Sequence, residues 1–175
     1  YHTSQYVHKS TNEGQSWEII SPDLTRNDKS KQKPSGGPIT LDHTGPETYC
    51  TIFAFEESPH QPGLLWVGTD DGLVHISRNG GVTWENIIPK EMPEWGTVNM
   101  IELSAHDPGR AFIAVHCYRL DDFNSYIFRT NDYGKSWELI TKGNGIPSNH
   151  FIRVIREDPD RKGLLYAGTE FGMYI

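Results

Sequence analysis

The sequence predicts an all-β chain, an arc of about three four-stranded β-propeller blades that forms part of a larger ring. Three observations carry that expectation. One turn-and-tryptophan segment occurs three times. Two strand-like segments recur around it in constant order. No stretch shows a sustained helical period flanked by capping residues.

The turn segment reads Ser10-Thr11-Asn12-Glu13-Gly14-Gln15-Ser16-Trp17, then Ser77-Arg78-Asn79-Gly80-Gly81-Val82-Thr83-Trp84, then Thr130-Asn131-Asp132-Tyr133-Gly134-Lys135-Ser136-Trp137. Each copy runs on into Glu and an apolar pair. A Gly-bounded run, Gly63-Leu64-Leu65-Trp66-Val67-Gly68-Thr69, resembles Gly163-Leu164-Leu165-Tyr166-Ala167-Gly168-Thr169, with a weaker copy at 109–115. Short apolar runs at 51–55, 98–103 and 151–155 precede these, each closed by a proline-bearing turn at Pro59, Pro108 or Pro159. Four short strands joined by tight turns and repeated along a chain are the pattern of a propeller blade.

Taken in order, residues 1–20 supply the last strands of one blade, and 21–47 form a long crossover loop. Residues 48–88 and 97–140 make two full blades, and 149–175 supply the first strands of another. The last unit stops before a turn segment, so a further Ser/Thr-x-Asp-x-Gly-x-x-Trp is expected soon after Ile175. A start at Tyr1, in mid-strand, reads as a cut through a longer protein. About three blades leave a ring open, so the arc is expected to be completed by the remaining blades of the parent chain or by other copies.

The turn residues have physical roles. An Asp or Asn oxygen accepts from backbone N–H groups two residues on, which holds a tight turn. Gly14, Gly81 and Gly134 suit a positive φ. Ser10, Ser77 and Thr130 tie a second backbone group. Trp17, Trp84 and Trp137 bury an indole between blades. Asn12, Asn79 and Asp132 are therefore assigned to folding rather than to catalysis.

Composition narrows the function. The 175 residues carry a net charge of −7, which argues against a nucleic-acid phosphate binder. No window approaches the roughly 20 apolar residues of a membrane span. Cys50 and Cys117 read as two buried small hydrophobes rather than a disulfide framework. No Cys/His spacing suggests a metal, and no Gly-rich loop or nucleophile elbow suggests a cofactor or a serine hydrolase.

The turn segment resembles the Asp-box, or bacterial neuraminidase repeat, of sialidases, xyloglucan-degrading glycosidases and sortilin-type propellers. The phrase Trp66-Val67-Gly68-Thr69-Asp70-Asp71-Gly72-Leu73-Val74, with Arg119-Leu120-Asp121-Asp122-Phe123, is most similar to large bacterial sortilin-like, glycosyl-hydrolase-like propeller proteins. That resemblance implies an extracytoplasmic location. It also implies that ligands sit on the rim opposite the boxes, around the channel.

That opposite rim collects the candidate functional residues. Asp70, Asp121, Asp122 and Glu170 are the candidate catalytic carboxylates. Asp42, His43, Glu47, Trp95, Arg119, Asp121, Asp122 and Arg153 are the candidate ligand contacts, with Tyr49 beside them. Acids at equivalent places in successive blades would make a negative rim. An Arg119–Asp pair there reads as a clamp or a ligand contact. The leading expectation is a peptide- or glycan-binding, or scaffolding, module. The alternative is a sialidase- or xyloglucanase-like glycoside hydrolase, although the Arg-Ile-Pro signature of sialidases is absent. A third is an assembly factor that docks a partner protein on a blade face.

Overall fold

The computed structural model describes residues 1–42, 48–143 and 145–175. Within them lie four antiparallel sheets, each an up-and-down meander. The first sheet comprises β1 (His2–Thr3), β2 (Val7–Lys9) and β3 (Glu18–Ile19). The second comprises β6 (Ile52–Glu57), β7 (Leu65–Thr69), β8 (Val74–Ser77) and β9 (Glu85–Asn86). The third comprises β10 (Thr97–Leu103), β11 (Ala111–Cys117), β12 (Asp122–Thr130) and β13 (Glu138–Leu139). The fourth comprises β14 (Ile152–Glu157), β15 (Leu165–Thr169) and β16 (Gly172–Tyr174). A two-stranded ribbon, β4 (Ser35–Gly36) with β5 (Leu41–Asp42), forms inside the long crossover, where the sequence predicts only a loop. The described helical residues are two 3-10 turns, Lys29–Lys31 and Tyr118–Leu120.

The sheets pack face to face through apolar side chains. The largest core joins the second and third sheets and includes Trp66, Val74, Ile76, Val98, Ile113 and Phe128. Gly68 is required there by close approach: a Cβ on it would lie 2.3 Å from Val98 Cγ1 of the next sheet. Smaller cores join the first sheet to the second around Val7, Leu24 and Val67, and the third to the fourth around Phe112, Ile127 and Ile155. Cys50 and Cys117 are buried and unbridged, and burial pushes the Cys117 thiol up to about 12.

Polar contacts repeat across the same interfaces. The Trp84 indole N–H donates to the Ile20 carbonyl at 3.1 Å, and Trp137 donates to the equivalent Ile87 carbonyl at 2.7 Å. Each tryptophan thus reaches back to the preceding sheet. Trp17, in the first sheet, is half exposed and meets His2 edge-on. Two histidines in the turns after the first strands act in the opposite direction along the chain. His60 Nε2 lies 3.0 Å from the Ser104 carbonyl, and His106 Nε2 lies 2.8 Å from the Asp158 carbonyl, each in the next sheet.

The three box turns share one geometry. The hydroxyls of Ser10, Ser77 and Thr130 donate to Oδ1 of Asn12, Asn79 and Asp132 at 3.0, 3.1 and 2.8 Å. The same hydroxyls accept the N–H of Gly14, Gly81 and Gly134 at 2.8, 2.9 and 2.9 Å. The side-chain oxygen reaches the N–H four residues on (Ser16, Thr83 and Ser136, all at 2.9 Å), not two as the sequence suggests. The reason is that two consecutive residues are left-handed, so the chain curls back further than one positive φ allows. The pairs are Glu13 and Gly14 (φ 58° and 85°), Gly80 and Gly81 (69° and 97°), and Tyr133 and Gly134 (61° and 81°). Asn and Asp serve equally by reversing one hydrogen bond. The Asn12 and Asn79 amides donate to the Ser16 and Thr83 hydroxyls, whereas the Ser136 hydroxyl donates to Asp132 Oδ2 at 2.6 Å.

Candidate functional site

In the second, third and fourth sheets the turn between the second and third strands lies on the rim opposite the boxes, as does the β1–β2 turn of the first sheet, because an antiparallel meander alternates its turns between two rims. The acids on this rim do not form an exposed negative row. Asp70 is buried, and its Oδ1 accepts the backbone N–H of Cys50 at 2.9 Å and of Thr51 at 2.8 Å. Burial pushes its carboxyl up to about 6 against the pull of those two bonds. Asp71 is fully buried, with Oδ1 taking the Thr69 hydroxyl at 2.5 Å and Oδ2 taking the Arg26 N–H at 2.7 Å. Both acids clip crossover loops to the sheet.

Asp122 is occupied in the same way. It accepts the Asn124 N–H at 3.0 Å, the Asn124 amide at 2.7 Å and the Tyr126 hydroxyl at 2.8 Å. Burial alone would raise its pKa, but these hydrogen bonds outweigh burial and hold the carboxyl below its ordinary range. Asp121 is exposed and closes the Tyr118–Leu120 turn in a left-handed conformation, φ 64°. Glu170, equivalent in position to Asp70, clips no loop among the described residues; its Oε1 pairs with Arg153 at 2.5 Å.

Arg119 forms no ion pair with Asp121 or Asp122 among the described residues. Its guanidinium lies 5.7 Å from the Tyr118 ring centroid, and that of Arg153 lies 4.7 Å from the same ring. Arg153 also sits 4.8 Å from the Phe151 ring, which stacks on Tyr118 at 5.0 Å and 23°. Burial acts to raise the Tyr118 phenol, but the neighbouring Arg119 and Arg153 guanidiniums outweigh it and hold the phenol below its ordinary range. Beneath them, His116 is buried, and its pKa is pushed down to about 4 by burial and then by Arg153 and Arg119.

A second group lies around Trp95, which is left-handed at φ 63°. Tyr49 meets its ring edge-on at 5.7 Å, while Arg26 and Lys31 lie 4.8 and 5.6 Å from its centroid. Arg26 is the latch of the long crossover: its Nε donates to the Asp71 carbonyl at 2.8 Å and its head pairs with Glu94 at 3.4 Å. Asp42 lies in β5, and His43 and Glu47 fall outside the described residues.

The structure therefore brings Arg119 and Arg153 together, and sets Trp95 with Tyr49. Sequence reasoning missed Tyr118, Phe151 and Arg26. It also missed a bulge that recurs near the start of the first strand in the second, third and fourth sheets, between Ile52 and Ala54, Val98 and Met100, and Ile152 and Val154. Bulges re-aim side chains and are frequent beside functional sites. The bulged residues are Phe53, Asn99 and Arg153, and the Asn99 amide donates to the Arg153 carbonyl. Aligning the three first strands by their Gly/Ala partners (Gly68, Ala114, Gly168) is the signal that would have found it.

No family profile matches the chain, and no curated protein matches it. Solved structures do. An ancestral GH74 enzyme superposes with a TM-score of 0.66 at 20% identity, over 98% of this chain and 20% of its own. YCF48 bound to D1 peptide superposes at 0.52 and 19% identity, over 94% of this chain and 41% of its own. The GH74 xyloglucanase from Xanthomonas campestris superposes at 0.50 and 16% identity, over 66% of this chain and 18% of its own. At these identities the likeness is one of fold. The chain has an all-β, propeller-type architecture and spans less than half the length of these neighbours. No helix among the described residues is long and apolar enough to cross a membrane.

Proposed function

We propose that the chain is an arc of a larger, extracytoplasmic β-propeller, with blade limits near 1–20, 48–88, 97–140 and 149–175. Its role is a binding or scaffolding module whose peptide or glycan ligand sits on the rim opposite the boxes. The supporting observation is the division of labour on that rim. Asp70, Asp71 and Asp122 are bound up in hydrogen bonds within the chain, whereas Arg119 is exposed and Arg153 and the rings of Tyr118 and Trp95 are partly exposed. The extracytoplasmic placement is supported by the Asp-box resemblance alone. The test is titration of peptides and glycans against the full-length protein. Saturable binding that is lost on changing Arg119 or Arg153 supports the reading, and no binding by any of them ends it.

One observation favours a glycoside hydrolase instead. A carboxyl raised to about 6, like that of Asp70, lies in the range of a general acid. The measurement that decides is turnover of xyloglucan and related polysaccharides by the full-length protein. Hydrolysis abolished by Asp70→Asn, Asp121→Asn or Asp122→Asn, with folding intact, overturns the binding-module reading. Hydrolysis retained in all three removes those acids as catalysts.

A further inference from the structure

The guanidiniums of Arg119 and Arg153 lie 5.7 and 4.7 Å from the Tyr118 ring centroid, and Glu170 pairs with Arg153. Arg153 is the one that Glu170 neutralises; Arg119 has no carboxylate partner among the described residues. Arg119 thus stands outside any ion pair among the described residues, on a chain of net charge −7. The pair Arg153–Glu170 is partly exposed, with the side chains 36% and 43% accessible, so the carboxylate is exchangeable with one from solution. Guanidinium forks select carboxylates by paired N–H donors, and the low-lying phenol gives an incoming oxygen a third partner.

Resting on the reading of this rim as a ligand site, we infer that Arg119 and Arg153 form a carboxylate-recognition site for an acidic peptide, in which Glu170 is a resident competitor. An incoming side-chain or terminal carboxylate takes the place of Glu170 on Arg153 and is clasped by Arg119 from the other side. Peptide is favoured over an acidic glycan by the surroundings. Tyr118 and Phe151 stack on each other and the Arg153 guanidinium lies against both rings, which reduces the ring face left for a sugar. The exposed apolar groups nearby are Leu120, Phe123 and Phe171, at 47%, 45% and 66%, which suit aliphatic and aromatic side chains. Of the neighbouring acids, Asp70, Asp71 and Asp122 are occupied internally.

The experiment is a fluorescence-anisotropy titration of the full-length protein with three probes: a Glu-rich peptide, its Gln counterpart and an oligogalacturonate. The Glu peptide should bind at least tenfold more tightly than the Gln peptide, and the difference should shrink with salt. Arg119→Ala should weaken the Glu peptide at least tenfold with an unchanged melting temperature. Glu170→Gln should strengthen it severalfold, a gain that a merely structural ion pair would not produce. Equal binding of both peptides, a loss on Glu170→Gln, or binding of the oligogalacturonate alone overturns the inference. If no peptide binds, the inference falls. The wider reading of the rim then stands only if a neutral glycan still binds there.

Discussion

The two rims of this chain are built on opposite plans. On the box rim, three turns of different sequence make the same hydrogen bonds to within about 0.3 Å. On the other rim the equivalent turns diverge. One is a buried pair of loop clips (Asp70 and Asp71), one a 3-10 turn carrying Arg119, and one an exposed carboxylate, Glu170, on an arginine. Repetition follows from a demand that every sheet shares, namely closing a hairpin and docking on its neighbour. Divergence is free to occur where no such demand acts, and that is where a ligand site can be fitted.

Substitution on the box rim should therefore cost stability, and on the other rim it should cost binding. The largest effect is expected for Gly81→Ala. Its φ is 97°, and an added Cβ would stand 2.6 Å from the Ile20 carbonyl oxygen. Left-handed strain and the clash together should cost about 3 kcal/mol, read by urea denaturation of the full-length protein. Arg119→Ala, measured alongside, should stay within about 0.5 kcal/mol of the parent. Equal losses would erase the contrast between the rims.

Trp137→Phe comes next. It removes the indole N–H that donates to Ile87 and leaves that carbonyl unmatched within the interface. A loss of about 1–3 kcal/mol is expected by the same assay. Because Trp84 makes the equivalent bond to Ile20 at 3.1 Å, Trp84→Phe should cost a similar amount. A negligible effect for both would mean that the indoles pack without bonding.

Acid should expose a further difference. His75, in the second sheet, and His116, beneath the arginine pair, are each pushed down to about 4, chiefly by burial. Both are neutral when folded, whereas the unfolded chain protonates them below about 6.5. Their contribution is complete above that pH and is lost as pH falls through 6.5 toward 4, on the order of 2 kcal/mol for each imidazole by pH 5. Asp70, raised to about 6, works the other way between its unfolded value of 3.8 and 6, which offsets part of the loss. Denaturation midpoints at pH 7 and 5 should show lower stability at 5, with a flatter dependence in His75→Phe. A profile that rises toward pH 5 would contradict the burial of both rings.

The box rim was legible because its chemistry is local: a hydroxyl, an acceptor, a glycine and an indole lie within eight residues and recur. The other rim was legible only in part. Arg119, Arg153 and Trp95 were singled out, but Arg119 was set against Asp121 and Asp122, its neighbours in sequence. The left-handed turn at Asp121 and the hydrogen bonds that occupy Asp122 leave the arginine to Tyr118 instead. Tyr118 meets Phe151 and Arg153 only because a crossover returns the fourth sheet beside the third. Likewise, Arg26 reaches Asp71 across 45 residues of sequence. No local pattern encodes such pairs; they follow from how the sheets pack.

The smallest expected effect separates the box copies from one another. The residue before the box glycine is left-handed in all three, yet only the second copy uses glycine there, Gly80. Tyr133 is compensated: its ring lies 5.0 Å from the Arg78 guanidinium, and its N–H donates to the Gly109 carbonyl at 3.0 Å. Glu13 is exposed and has no such contact among the described residues. Glu13→Gly removes a left-handed penalty of about 1 kcal/mol but adds chain entropy to the unfolded state, so a gain of roughly 0.5 kcal/mol is expected. Tyr133→Gly should instead destabilise, because it gives up the arginine contact as well. Opposite signs for the same change at equivalent positions would show that the turn geometry is common to the copies while its supports are not. Equal signs would place the whole cost in the backbone.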